Sequence, residues 1–314
     1  MTTAVEKPRL VLKNILLTTD FLEPSQRAIP FAAALARRYN AHLFVANVIE
    51  QIPMSSVPMD TMPPDLERDE ERAQRRMVEF THKDELLGLH VDAIVEPGFL
   101  WPVVGWILEK EKIDLVVLGT HGRRAFSRLV IGSAAEEIFR QANCPVLTIG
   151  PNVDPARAVK QKMDKILFTT DFSTGSARAL DYALKLTAEH DAQLLMVHVV
   201  QASALPFDIT DEFVTESEAK LKDMIPHEQM PTSPPPFFLT LIGVPSEQVL
   251  NFAAREDVDL IVMGMHKGTD MSPHWPNEFA AKVIASAKCP VLSMRGSQGD
   301  THLLHRTVDP TSLP

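Results

Sequence analysis

"KIDLVVLGTHG", residues 112–122, carries at its centre a run from Leu115 to Leu118 that is apolar at every position. A strand covered on one face alternates apolar with polar residues, whereas a strand covered on both faces reads as this run does. The stretch therefore predicts a buried strand of a parallel sheet that ends at Gly119. It returns later in the chain as "VDLIVMGMHKG", residues 258–268.

Other phrases echo in the same order. "NILLTTDF" (14–21) returns as "KILFTTDF" (165–172), "FVANVIE" (44–50) as "MVHVVQ" (196–201), and "CPVLTI" (144–149) as "CPVLSM" (289–294). The repeating unit is a whole domain, much longer than a solenoid repeat. The second copy is slightly shorter in its middle, where the Pro-rich "PTSPPP" (231–236) lies. These echoes divide the chain into a first domain at 1–150, an exposed linker at 151–163, a second domain at 164–295 and a loose polar tail at 296–314.

Within the first copy, short apolar runs alternate with longer amphipathic ones. Strands are predicted at 14–19, 42–49, 90–95, 114–119 and 145–149, and helices at 25–39, 65–88, 101–111 and 133–142. Such alternation implies parallel strands joined by right-handed helical crossovers. The expected fold class is α/β: two tandem, open, mainly parallel five-stranded sheets flanked by helices, Rossmann-like in layout.

Composition narrows the function. The 314 residues carry a formal net charge of −10, with 45% hydrophobic and 23% charged residues. That balance disfavours a general grip on nucleic acid or anionic membrane, though a small local anion site is compatible with it. The opening "MTTAVEKPRL" lacks a secretory core, and no apolar run approaches the roughly 18 residues that span a bilayer. A cytoplasmic location is expected. Cys144 and Cys289 are too few for a disulfide framework or a zinc cluster and read as small buried apolar residues.

In open α/β sheets ligands bind beyond the carboxyl ends of the strands, where strand order reverses. The strand exits here are Thr19-Asp20, Val48, and Gly119 onward. Gly119 closes a strand, Gly122 follows, and Gly132-Ser133 opens the helical pattern "AAEEIFRQA". Glycine lets a ligand approach the main chain closely. A helix start offers free N–H groups and a positive dipole end, so the spacing reads as a phosphate cradle. Ser133-x-x-Glu136 also fits a capping box, which would explain the serine with no ligand. Arg123 and Arg124 fit bidentate contact with phosphate, and equally a solvated basic loop. His121 reads as structural or exposed rather than catalytic.

The Gly-x2-Gly-x9-Gly-Ser spacing, the "TTDF" ending the first strand and the "CPVL" heading the last together resemble the universal stress protein family. The likeness covers nearly all of both halves, as in a tandem member. It implies that Asp20 lies by the ribose and metal region and that Val48 meets adenine through its main chain. Gly119, Gly122, Gly132 and Ser133 would wrap the phosphates of ATP, with magnesium arriving alongside the nucleotide. It also implies pairing of the two halves through their last strands as an internal pseudo-dimer, with homodimerisation left open.

The second copy departs from that pattern. Gly264 remains, but Lys267 stands in place of Gly122, and Asn277-Glu278 in place of Gly132-Ser133. A carboxylate about 4 Å from a phosphate, at an effective dielectric near 20, costs on the order of 4 kcal/mol before screening. With Asp171 and Val199 retained, the second site is expected to be silent or to select a different ligand.

No phosphate-binding Gly-x4-Gly-Lys-Ser/Thr loop, nucleophile elbow or His-Glu-x-x-His pair occurs in the chain. Metal ligands at familiar spacing are also missing. Without an evident base, slow or negligible ATP hydrolysis ranks above turnover. The expected function is an ATP-binding, nucleotide-linked stress regulator acting through protein partners. The alternatives are a weak ATP hydrolase or nucleotidyl-transferring enzyme, and a scaffold independent of nucleotide. The Met- and Pro-rich stretch 51–65 reads as a lid, a protein contact or an extended loop.

Overall fold

The computed structural model describes residues 9–51, 66–120, 132–160, 162–173, 175–201, 210–231, 233–265 and 278–295. The chain forms two compact units, one built mainly on Val11–Gln161 and the other mainly on Lys162–Val283. Gly122, Arg123, Arg124, His121 and the stretch 52–65 lie outside the described residues, as do Lys267 and Asn277 of the second copy.

The first unit runs β1 (Asn14–Thr18), α1 (Glu23–Gln26), α2 (Ile29–Tyr39), β2 (His42–Glu50), α3 (Leu66–Thr81), β3 (Val91–Gly98), α4 (Leu100–Lys110), β4 (Leu115–Gly119), α5 (Ser133–Gln141) and β5 (Val146–Ile149). Its strands lie in the order β3-β2-β1-β4-β5, with every described pairing parallel. The second unit repeats the plan with β6 (Lys165–Thr170), α6 (Gly175–His190), β7 (Gln193–Val200), α7 (Asp211–Asp223), β8 (Phe237–Ile242), α8 (Pro245–Arg255), β9 (Leu260–Met265), α9 (Glu278–Ser286) and β10 (Val291–Arg295). Its order is β8-β7-β6-β9-β10, again parallel. The α/β expectation of two open five-stranded parallel sheets is met.

The core is made by the central strands. Ile15, Leu16 and Leu17 of β1 are fully buried, as are Val116 and Val117 of β4 and Ile166, Leu167 and Phe168 of β6. Both copies also clip the start of the first strand with an aspartate: Asp114 Oδ2 accepts from the amides of Lys13 (2.7 Å) and Asn14 (3.0 Å). Asp259 Oδ2 accepts from Asp164 (2.6 Å) and Lys165 (3.1 Å) in the same way.

Two local readings differ from the structure, and a third is met only in part. The helix predicted at 25–39 is broken into α1 and α2 at Arg27-Ala28. Pro30 has no N–H to offer the carbonyl of Gln26, so the helical hydrogen-bond ladder is interrupted there. The helix predicted at 65–88 stops at Thr81, whose hydroxyl donates to the carbonyls of Met77 and Val78 at 3.1 Å each. The chain leaves the helix there as the amides of His82 and Lys83 donate to the carbonyls of Val78 (3.2 Å) and Phe80 (3.3 Å). The segment after β5 is exposed at most of its described positions, as read, but it buries Val153 and Ala158 and accepts Arg27 Nη1 at the carbonyl of Pro151 (2.6 Å).

Candidate functional site

In the first unit β1 pairs with β2 on one side and β4 on the other, so the direction of strand order reverses between β1 and β4. The carboxyl ends of these two strands therefore flank the crevice that such a sheet offers to ligands. Asp20 leaves β1 there, and Gly119 closes β4.

The exit from β1 is a tightly tied turn. Thr19 Oγ1 accepts from the amide of Phe21 (2.9 Å) and lies 3.0 Å from Ser25 Oγ, which donates to the carbonyl of Leu22 (2.9 Å). Asp20 Oδ1 accepts from the amide of Leu22 (2.9 Å). Phe21 sits at φ +62°, a left-handed conformation that costs a bulky residue about 1–3 kcal/mol. Its neighbours hold it there: Phe80 meets its ring edge-on at 5.9 Å, and Arg76 lies over the ring at 4.9 Å while donating to the Phe21 carbonyl (3.0 Å). The second copy builds the same turn, with Phe172 at φ +63° and Thr170 Oγ1 accepting from its amide (2.9 Å).

Val48 is half-buried near the end of β2, where it pairs with Glu96 of β3. The residue before it, Asn47, is buried and donates through Nδ2 to the carbonyl of Thr19 (2.7 Å). That bond ties the adenine-edge candidate to the β1 turn. Sequence reading gave Asn47 no role, and its counterpart His198 explains why. The two are not identical, yet His198 Nδ1 donates to the equivalent carbonyl of Thr170 at 2.9 Å.

Gly119 has a role that the phosphate-cradle reading did not foresee. A side chain there would drive its Cβ into the backbone carbonyl oxygen of Pro24 and to 3.0 Å from Ser25 Cα. Gly264 in the second copy faces the same obstacle, since a Cβ would strike the Gly175 carbonyl oxygen and come within 2.7 Å of Ser176 Cα. These two glycines let the β1–α1 and β6–α6 segments sit against the neighbouring strand ends. Their joint survival therefore says nothing about ligands.

Gly132 and Ser133 behave differently. The amide of Gly132 donates to the carbonyl of the buried Thr120, which brings the start of α5 back to the end of β4. Gly132 is the helix cap, at φ −62° and ψ 147°, and Ser133 is the first helical residue. Its backbone angles are open to any residue, so glycine is not required there for conformation. The capping-box reading is not realised. With Gly132 as cap, the serine sits one position too late to bond the third helical amide, and Glu136 sits one position too late to reach back. Ser133 is exposed, while Ala135, Ile138 and Phe139 bury the opposite side of the helix. The structure thus brings Asp20, Gly119, Gly132 and Ser133 to the two strand ends flanking the reversal point, with Val48 one strand over.

In the second unit the corresponding helix begins with Glu278, whose carboxylate pairs with Lys282 at 2.7 Å. The Lys282 hydrogen bond holds that carboxyl below the usual carboxylate range, and Glu278 in turn raises Lys282. A negative charge therefore sits where Ser133 stands in the first unit. The neighbouring ammonium offsets part of the repulsion expected from the sequence. His198 and Phe172, with ring centroids 4.4 Å apart, occupy the place of Asn47 and Phe21.

Comparison with known proteins adds a lineage to this geometry. A family model described as the universal stress protein family matches residues 12–150 and 162–295. Universal stress protein Slr1230 of Synechocystis is 24% identical over 306 residues, covering 90% of this chain and 100% of the relative. Universal stress protein A homolog 1 of Coxiella burnetii is 33% identical over 143 residues, which is 44% of this chain and 95% of the relative. Among solved structures, a universal stress protein from Archaeoglobus fulgidus superposes with a TM-score of 0.65 at 22% identity, covering 90% of this chain and 98% of that one.

Proposed function

The chain belongs to the universal stress protein family, and from that premise we propose that it is a nucleotide-linked regulator with one competent site, in its N-terminal copy. The ligand is ATP, accompanied by magnesium. Asp20, anchored through Oδ1 to the amide of Leu22, turns its second oxygen to the ribose and metal region. The main chain at Val48 meets adenine. The amides opening α5 and the Ser133 hydroxyl take the phosphates, with Gly122 and Arg123 closing over them.

The observation that carries this reading is the state of the two helix starts. In the first copy α5 opens on a glycine cap, tied to the carbonyl of Thr120 at the end of β4, and an exposed serine. A helix start of that kind attracts anions through its unbonded N–H groups and positive dipole end. In the second copy the same place is held by Glu278. Binding then favours one arrangement of the loop between β4 and α5, and that population shift is what a partner protein reads.

Isothermal titration of the full chain with ATP and magnesium tests the proposal. One equivalent is expected, with Gly122→Glu and Ser133→Ala each reducing affinity. Absence of heat and of any thermal stabilisation at saturating ATP would return the protein to the scaffold reading. Binding undiminished in both variants would place the nucleotide elsewhere.

A further inference from the structure

At the amino ends of β2 and β3, opposite the strand exits just described, His42, His90 and Asp92 share one face of the sheet. Leu43 pairs with Val91 and Phe44 with Asp92, and the amide of Leu43 donates to the carbonyl of His90 (2.9 Å). The two-residue period of a strand then puts residues 42, 44, 90 and 92 on the same side. His42 Nε2 lies 3.1 Å from Asp92 Oδ2, and one nitrogen from each imidazole and an aspartate oxygen all fall within 4.8 Å of one another. The imidazoles of His42 and His90 stack at 3.7 Å with planes 8° apart, and Phe44 backs His42 at 4.2 Å.

We propose that His42, His90 and Asp92 form a binding site for a divalent transition-metal ion of the zinc class. Two imidazoles and a carboxylate are the donor set that such an ion accepts, leaving a fourth position for water. Donor atoms about 2.0–2.1 Å from a tetrahedral ion lie about 3.3–3.4 Å apart, close to the His42–Asp92 separation. His42 Nε2 is shielded from solvent yet makes no aligned hydrogen bond, despite its nearness to the carboxylate. An ion between them would satisfy both groups. Parallel rings cannot aim both lone pairs at one point, so ligation turns the His90 ring about its Cβ–Cγ bond. His90 and Asp92 are exposed, which permits that rotation and gives the ion a path in.

The second copy is an internal control. Gln193 occupies the start of β7 and donates to the carbonyl of Pro235 (3.4 Å). Phe237 takes the place beside Leu195 that Asp92 takes beside Phe44. Neither side chain supplies an imidazole, thiolate or carboxylate, so among the described residues one such site is expected. From His42 to Val48, six residues at about 3.3 Å each, β2 spans about 20 Å, so this ion is separate from any magnesium that accompanies nucleotide.

The test uses the full-length chain without affinity tag, stripped by chelator and free of nucleotide. Cobalt(II) is titrated by visible absorption, and zinc(II) by calorimetry. One equivalent of cobalt with the d–d bands of nitrogen and oxygen ligation is expected, displaced by zinc. His90→Ala and Asp92→Asn should each weaken binding at least about tenfold, since even outer partners of metal ligands cost 10–100-fold when lost. His227→Ala, an exposed histidine elsewhere, should change nothing. No cobalt band, or binding equal in wild type, His90→Ala and Asp92→Asn, would leave a simple histidine–aspartate pair and overturn the site.

Discussion

Gly119 and Ser133 belong to one sequence pattern but do opposite things. The glycine is needed by the fold, because any side chain there meets the backbone of Pro24 and Ser25. Overpacking against backbone costs about 1–3 kcal/mol, so Gly119→Ala should lower the unfolding free energy in denaturant titration by that amount. Gly264→Ala, which meets Gly175 and Ser176, should do the same in the other copy. An unchanged midpoint in either variant would mean that the contact relaxes freely. Ser133 is exposed at the first helical position and caps nothing. Ser133→Ala should therefore leave stability within about 0.5 kcal/mol while lowering ATP affinity about tenfold, the worth of one hydrogen bond to a charged group. Calorimetry and denaturation on the same sample separate the two. A stability loss without an affinity loss would make the serine structural after all.

The strand-and-helix elements were largely readable from the chain, because apolar runs and amphipathic runs differ in period and the duplication states each of them twice. What the sequence hid were relations that period does not encode. Examples are the break at Arg27-Ala28, the bond from Asn47 to Thr19, and the meeting across two strands of His42 with Asp92, fifty positions later in the chain. The site pattern was legible in outline, yet packing glycine and ligand glycine look alike as letters. Electrostatics between elements gives a test in the second unit. Lys165 at the start of β6 donates to the Glu256 carboxylate (3.0 Å) and to the Glu256 carbonyl (3.0 Å) beyond the end of α8. The lysine hydrogen bond is the main reason that this carboxyl lies below its ordinary value. A lowered carboxyl stabilises the fold above the unfolded-state value, and that contribution disappears as pH falls through the folded-state value. The stability gap between wild type and Lys165→Met should thus narrow as pH drops from neutral into the acid carboxylate range. Part of the gap should persist through the bond to the carbonyl. A gap independent of pH would show that the carboxylate does not contribute.

Taken whole, the chain is a duplication in which the fold was kept twice, and the function proposed above assigns a nucleotide site to only one copy. Both copies retain the left-handed phenylalanine, the threonine that ties it, the aspartate that clips the first strand and the glycine that admits the neighbouring backbone. The start of the last helix is where they part, with Gly132-Ser133 in one and Asn277-Glu278 in the other. Had that difference been neutral, exchanging the pairs would change little. If it decides ligand binding, Gly132→Asn combined with Ser133→Glu should abolish the ATP titration of the full chain while leaving its circular dichroism intact. The wild-type response should also be local. On adding ATP and magnesium, hydrogen exchange followed by peptide mapping should slow in the β1 turn at 19–27 and at the start of α5, and stay unchanged in the matching stretch of sequence at 170–178. Ligand at a hundred times its dissociation constant contributes about 2.7 kcal/mol to whatever it binds, enough to slow exchange there about a hundredfold where opening must release it. Equal protection in both turns would mean that the second copy also holds nucleotide and that Glu278, neutralised by Lys282, is no barrier.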